Sequence, residues 1–152
     1  PLLAGTVRQF WTDVIWGKLD YLVIDLPPGT GDVPLSVMQS IPLDGLLVVS
    51  SPQDLAAMVV KKAIRMAGML DKKIVGLVEN MSHVVCPGCG ERIDLFGPAQ
   101  GRSMAEREGL RFIGGLPVDP ALARLCDEGR IEEYQGPLLA SLAEAASSLT
   151  MA

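Results

Sequence analysis

The sequence predicts an α/β fold with a doubly wound, mainly parallel sheet and helices on both faces. Short apolar runs alternate with amphipathic helical patterns, and several of the runs end directly at polar residues. Parallel strands need a crossover that covers a sheet face, so this alternation favours a layered α/β class. The length of 152 residues fits one domain, and we expect residues 1–152 to form it.

The first half of the chain predicts two helices and two strands. Apolar residues at three- and four-residue steps indicate a helix over about the first fifteen positions. "DYLVID" then predicts a buried strand at Tyr21–Ile24, and "LPPGTGD" predicts a loop. "GLLVVS" predicts a strand at Gly45–Ser50, followed by a helix from the N-cap Asp54 to about Leu70.

The second half predicts two more strands and three helices. "KIVGLVEN" has the pattern of a buried strand, and "RFIGGLP" that of a weaker one. The helices run from about Pro98 to Glu108 with Gly109 as the stop, from the N-cap Asp119 and Pro120 to Gly129, and from about Leu138 to Leu149.

Composition and charge exclude several classes of function. The net charge of −5 and the scattered lysine pairs argue against a nucleic-acid partner. The sequence contains no run of eighteen apolar residues that could span a membrane, and it shows no secretory signal. We therefore expect a cytoplasmic protein without a membrane partner. The chain begins with Pro1 and not with methionine, and we expect a fragment of a longer protein.

Polar residues at the predicted strand ends are the first candidates for a binding site, because ligands of parallel sheets collect there. Asp25 follows an apolar run, which is the Walker B arrangement for holding magnesium directly or through a water. An aspartate in this position can equally cap a turn. Gly29 and Gly31 would let main-chain amides approach a phosphate closely.

One expected motif is absent from the sequence. Nowhere do the 152 residues contain G-x-x-x-x-G-K-[ST], the loop whose lysine and hydroxyl hold phosphates and metal. We therefore expect this polypeptide not to hydrolyse a nucleotide by itself, and to bind nucleotide poorly.

Four stretches together resemble a known family: "DYLVIDLPPGTGDVPL", "SSPQD", "VENMSHVVCPGCG" and "LPVDP". They are similar to the C-terminal part of the Mrp-type iron–sulfur cluster carrier ATPases, a branch of the MinD/ParA-like P-loop proteins. The resemblance extends from about Pro1 to the region of Pro137. It implies a doubly wound ATPase fold that forms a homodimer, binds ATP and Mg²⁺, and carries a four-iron four-sulfur cluster between its subunits to apo client proteins.

The resemblance also implies roles for individual residues. Asp25 corresponds to the catalytic Walker B carboxylate, and Cys86 and Cys89 to the cluster ligands. The remaining nucleotide-binding positions are Pro28, Gly29, Thr30, Gly31 and Asp32 in the second switch loop, Asn80 at the adenine, and Pro117, Val118 and Asp119 along the base. The family's phosphate loop has no counterpart here, and we expect an unpaired strand edge where preceding strands would pair.

The cysteine pair is half of a tetrahedral thiolate site. Zinc and iron–sulfur clusters require about four protein ligands, and one CxxC supplies two. Two-fold symmetry would bring a second pair from another copy. A redox pair, a zinc clasp between subunits and a metal-free loop remain alternatives. His83 is expected to be solvated, and Cys126 is expected to pack within a helix and not to serve as a third ligand.

Two rival functions also deserve comparison with the sequence. A MinD/ParA-like positioning ATPase would carry a basic amphipathic C-terminal helix, but residues 137–152 contain Glu144 and no lysine or arginine. A non-enzymatic module dimerised by zinc is the other rival, because zinc and iron accept the same thiolates.

Overall fold

The fold is centred on a three-stranded parallel sheet. In the computed structural model, which describes residues 2–136 and 139–150, the strands β1 (Leu46–Ser50), β2 (Ile74–Glu79) and β5 (Phe112–Gly115) lie in the order β1-β2-β5. Two short strands, β3 (Val84–Val85) and β4 (Arg92–Ile93), form a separate antiparallel hairpin. The predicted α/β class with a parallel sheet is confirmed.

Six α-helices accompany these strands in the described part of the chain. Their bounds are α1 Leu2–Thr12, α2 Asp32–Ser40, α3 Asp54–Met69, α4 Gly101–Arg107, α5 Pro120–Asp127 and α6 Leu139–Thr150, with a short 3₁₀ helix at Ile131–Glu133. Helix α3 packs on β1, α4 packs on β2 and β5, and α6 also contacts β2 and β5. The predicted start of the last helix at Leu138 lies outside the described residues.

The core lies between the sheet and the helices α3 and α4. Val60 and Ile64 of α3, Leu77 of β2, and Met104 and Ala105 of α4 form one buried cluster. These side chains come from one face of each helix, as the sequence periodicity predicts. Their packing holds β2 in place, and the candidate site lies at the end of this strand.

Several predicted helix ends are confirmed. Asp119 caps α5 by accepting a hydrogen bond from the Ala121 amide at 2.8 Å, and Pro120 is the first helical residue. Gly109, just beyond α4, has φ = +67°, the left-handed conformation expected after a helix. The prediction of Asp54 as an N-cap is wrong, because Gln53 is the N-cap and Asp54 is the first residue of α3.

The prediction of a strand at Tyr21–Ile24 is wrong. This segment belongs to no strand, and Val23 is 89% exposed. A parallel strand requires a neighbour for its backbone hydrogen bonds, and no described strand pairs with this segment. The sheet correspondingly ends at β1, where Leu47 and Val49 are exposed, so the expected open strand edge is present among the described residues.

Two elements were not anticipated from the sequence. Helix α2 follows the glycine loop directly, with Asp32 and Pro34 in its first turn, where an acidic residue and a proline are both tolerated. The β3–β4 hairpin encloses the cysteine pair. Its strands are too short for an alternating pattern to reveal them.

Candidate functional site

The structure brings the ends of β2 and β5 together at one edge of the sheet. The Leu116 amide donates to the Glu79 carbonyl at 2.8 Å, and the Ser82 amide donates to the Leu116 carbonyl at 2.8 Å. Asn80 follows β2 and donates its amide to the Ser50 carbonyl at the end of β1. Asn80 and the segment 117–119 therefore lie at the same sheet edge, as the parallel topology requires.

The backbone turns sharply after Asn80. Its side-chain oxygen accepts a hydrogen bond from the Met81 amide at 2.9 Å. Met81 has φ = +55°, a left-handed conformation that is uncommon for a non-glycine residue. This turn directs the chain away from β2 and into the β3–β4 hairpin, and strain of this kind is concentrated at functional sites.

Asp119 has two hydrogen-bonding roles in the structure. One carboxylate oxygen caps α5, and the other accepts a hydrogen bond from the Tyr134 hydroxyl at 2.9 Å. These bonds, that from Tyr134 first and that from Ala121 second, hold the pKa of Asp119 below its usual value. Burial and the neighbouring carboxylate raise the pKa of Tyr134. Residues 117–119 are thus tied to the chain beyond α5.

Asp25 and the glycine loop form a separate group. Asp25 is exposed and lines a cavity of about 460 Å³ between α1 and α2. The loop residues Pro28, Thr30, Gly31 and Asp32 are exposed and Gly29 is half-buried with φ = +99°, a value that favours glycine. Among the described residues, the cavity lining includes none from β2, β5 or the hairpin.

The cysteine pair lies in the connection of the β3–β4 hairpin. The Cys86 amide donates to the Glu91 carbonyl at 2.8 Å, and the Gly90 amide donates to the Cys86 carbonyl at 2.9 Å. Cys86 is half-buried and Cys89 is exposed. Hydrogen bonds from the Cys89 amide, then from the Gly88 amide and the Cys89 thiol, lower the pKa of Cys86. This arrangement favours the thiolate, the form that binds metal.

The described residues provide no complete metal site. No group of three or more histidine, cysteine or acidic side chains comes together among them as a potential site. Cys126 is exposed on α5, so its predicted packing role is wrong. His83 is half-buried, with Nδ1 2.8 Å from the Ser82 hydroxyl. The donor set of the hairpin therefore suits a metal or cluster that finds further ligands elsewhere.

Sequence reasoning missed three residues that organise this edge. Glu79 is 1% exposed and accepts hydrogen bonds from the Gln100 amide at 2.8 Å and the Gly101 amide at 2.6 Å. Ser82 is 2% exposed, and Tyr134 contacts Asp119. A charged residue inside the apolar run "KIVGLVEN" was the available signal for Glu79. Nothing local distinguished Ser82 or Tyr134.

The parallel sheet, its polar strand ends and the cysteine hairpin beside them define a class of protein, a doubly wound α/β fold of the P-loop NTPase type. The family described as the NUBPL iron-transfer P-loop NTPases, within the ParA group, matches residues 1–150. The chain belongs to this family, and the resemblance inferred from its motifs is confirmed.

Individual relatives agree with this assignment. The iron–sulfur cluster carrier protein of Methanocaldococcus jannaschii is 47% identical over 130 residues, covering 85% of this chain and 45% of the relative. That of Clostridium perfringens is 40% identical over 146 residues, covering 95% and 51%. The chain therefore spans about half the length of these relatives.

A solved structure is similar over most of the fold. A nucleotide-binding protein from Archaeoglobus fulgidus, in complex with ADP and with cobalt found in it, superposes with a TM-score of 0.81 at 49% identity. The match covers 90% of this chain and 56% of that one. Among the described residues of the present chain, no helix has the length and apolar character needed to cross a membrane.

Proposed function

We propose that this chain is the cluster-holding part of an iron–sulfur cluster carrier ATPase. The observation that carries the proposal is the hairpin itself. It presents two cysteines, one of them with a lowered pKa, in a setting that supplies no third protein ligand among the described residues. A second copy related by two-fold symmetry would complete a set of four thiolates around a four-iron four-sulfur cluster.

Delivery to an apo client is then a ligand exchange. Each bond between iron and Cys86 or Cys89 breaks as a client thiolate binds the same iron, and the proton released by the client thiol balances the proton taken up by the departing cysteine. No change in oxidation state is needed. The exposure of Cys89 supports this proposal, because the incoming ligand must reach the iron.

The nucleotide-binding roles are proposals of the same kind. Asn80 and residues 117–119 would contact the base, Asp25 would hold Mg²⁺ or its water, and residues 28–32 would respond to the γ-phosphate. The chain contains no phosphate loop, so we expect ATP hydrolysis only when that loop is supplied. We also propose that the protein is cytoplasmic, where thiols remain reduced.

Anaerobic reconstitution with iron and sulfide tests the cluster assignment. We expect a brown dimer with one cluster for every two chains, measured by iron and sulfide analysis, visible absorption and sedimentation. Cys86→Ser and Cys89→Ser should each lose the colour, whereas Cys126→Ser, at the exposed cysteine of α5, should keep it.

Two results would contradict the proposal. A colourless protein that binds only zinc would favour the zinc-dimerised module, which uses the same two thiolates. A cluster that survives Cys86→Ser with full occupancy would place the ligands elsewhere in the chain.

A further inference from the structure

The proposed base-contacting segment and the cysteine hairpin are joined by a continuous set of hydrogen bonds. The Ser82 amide donates to the Leu116 carbonyl, and the Val118 amide donates to the His83 carbonyl, both at 2.8 Å. His83 immediately precedes Val84, the first residue of the hairpin. The residues after β5 therefore hold the chain at the point where the hairpin begins.

The Ser82 side chain strengthens this connection. Its hydroxyl lies 3.0 Å from the Leu116 carbonyl oxygen and 2.8 Å from His83 Nδ1, and the residue is 2% exposed. When the hydroxyl donates to Leu116, it can accept from a protonated Nδ1 of His83. Gly115 leaves the space that this serine fills, because a Cβ at that position would lie 2.9 Å from the hydroxyl oxygen.

The segment that connects Asn80 to the hairpin is also short. Asn80 and Val84 are separated by Met81, Ser82 and His83, and the first of these is fixed in a left-handed turn whose amide is held by the Asn80 side chain. A segment with this many fixed dihedral angles and a buried hydroxyl has few ways to move independently of its neighbours. Displacement of residues 116–118 must therefore be accompanied by displacement of the hairpin base.

We propose that Ser82 and His83 are positioning residues that couple the segment 117–119 to the cysteine hairpin. Through this bridge, a nucleotide base bound at Asn80 and residues 117–119 and a metal cargo bound at Cys86 and Cys89 change each other's affinity. Coupling between two binding sites is reciprocal. The functional consequence rests on the proposed function above, whereas the mechanical coupling is a property of this chain alone.

Amide hydrogen exchange of the metal-free chain, followed by NMR, tests the mechanical part. In Ser82→Ala we expect the Val118 and Cys86 amides to exchange faster by a similar factor, about five- to tenfold for one lost hydrogen bond. Ser103→Ala is the matched control, because it removes an exposed hydroxyl that donates to a backbone carbonyl at 3.0 Å. If Val118 exchanges faster while Cys86 does not change, the proposed coupling is overturned.

A second variant tests the same coupling in case Ser82→Ala does not fold. His83→Ala keeps the carbonyl that accepts from Val118 and removes only the ring that contacts the Ser82 hydroxyl. We expect a smaller but again parallel acceleration at both amides. Acceleration at one amide only would again overturn the coupling.

Zn²⁺ serves as the probe for coupling between the two sites. In the wild-type chain, Zn²⁺ should slow exchange of the Val118 amide, and this protection should be lost in Ser82→Ala although zinc still binds. If Zn²⁺ binds and the Val118 amide is unaffected, the coupling is wrong while the metal site stands. If Zn²⁺ does not bind, the metal-free exchange experiment alone decides the coupling, and reconstitution with iron and sulfide decides the metal role.

Discussion

At the scale of single residues, Glu79 connects the sheet to α4. Its carboxylate is almost completely buried and accepts hydrogen bonds from two amides at the start of that helix. The glycine at position 101 makes the contact possible, because a Cβ there would lie 2.8 Å from the Glu79 Cβ. A buried carboxylate is tolerated only when it is hydrogen-bonded in this way.

We expect Glu79→Ala to be strongly destabilising. The substitution leaves the amides of Gln100 and Gly101 without their acceptor, and hydrogen bonds to a charged group contribute about 1.5–3 kcal/mol each. The loss in the free energy of unfolding, measured with urea, should therefore reach about 3 kcal/mol, and Glu79→Gln, which retains an acceptor oxygen, should lose less. Glu106→Ala, at an exposed position of α4, is the control. Equal effects of all three substitutions would contradict the capping role.

The environment of Asp119 predicts a contribution to stability that depends on pH. Its pKa in the folded protein is lowered, so its hydrogen bonds stabilise the fold above the usual aspartate pKa of 3.8. This contribution is lost as the pH falls from there through the folded-state pKa. The bond from Tyr134 is the first cause of the lowered pKa, and the Ala121 amide is the second.

Tyr134→Phe should therefore destabilise the protein in a pH-dependent way. At neutral pH we expect the free energy of unfolding to fall by about 1 kcal/mol for the lost hydrogen bond. The difference from the wild type should shrink below pH 3.8, because protonation of Asp119 removes the same interaction. Urea unfolding at several pH values measures this, with the exposed Tyr21→Phe as the control. A pH-independent difference would argue against the bond to Asp119.

At the scale of elements, the β3–β4 hairpin contains the groups that lower the pKa of its own Cys86. Between the two cysteines, the amides of Cys89 and Gly88 lower the pKa of the Cys86 thiol. Amide donors stabilise the thiolate in the way that helix N-termini do. The hairpin strands supply only two paired positions each. Hydrogen bonds from the Cys86 amide to Glu91 and from the Gly90 amide to Cys86 also hold the connection between them.

We expect Cys89→Ala to raise the pKa of Cys86 part of the way to its usual value. The substitution removes the thiol that contributes to lowering this pKa, but it keeps the Cys89 amide, which is the larger cause. The pH dependence of iodoacetamide alkylation of Cys86, followed by mass spectrometry, should shift to higher pH. Cys126→Ala should leave the profile unchanged. An unshifted profile in Cys89→Ala would show that the two thiols do not interact.

At the scale of the whole molecule, the sheet has an apolar open side. Strand β1 pairs with β2 only, within the described residues, and its Leu47 and Val49 side chains are exposed. In addition, α1 buries none of its residues, and Tyr21–Ile24 is largely exposed. Open strand edges and apolar surface of this kind favour association between molecules.

We expect the chain to self-associate without metal, and Val49→Lys to weaken that association. A lysine on an edge strand opposes edge-to-edge pairing through its charge. Sedimentation velocity over a concentration series should show a smaller average mass for this variant. Leu55→Lys, which places the same charge on exposed α3 surface, should behave as the wild type. An unchanged mass in Val49→Lys would exclude β1 as the associating edge. The variant also provides a background in which a metal-dependent dimer can be recognised.

The sequence by itself determined the α/β class, three of the sheet strands, the caps of α4 and α5, and the family. These features depend on local patterns: an apolar run, an Asp-Pro pair, a terminal glycine and a CxxC spacing are each visible within a few residues. The polar strand ends could also be assigned to one edge, because parallel topology alone places them there.

Only the tertiary structure decided how these pieces are connected. Tyr21–Ile24 has the composition of a strand, but a strand exists only where a neighbour accepts its hydrogen bonds. Glu79 contacts Gly101, which lies 22 positions further along the chain, and Ser82 contacts Leu116, which lies 34 positions further along. Such contacts depend on which surfaces the core brings together, and no local pattern encodes that choice.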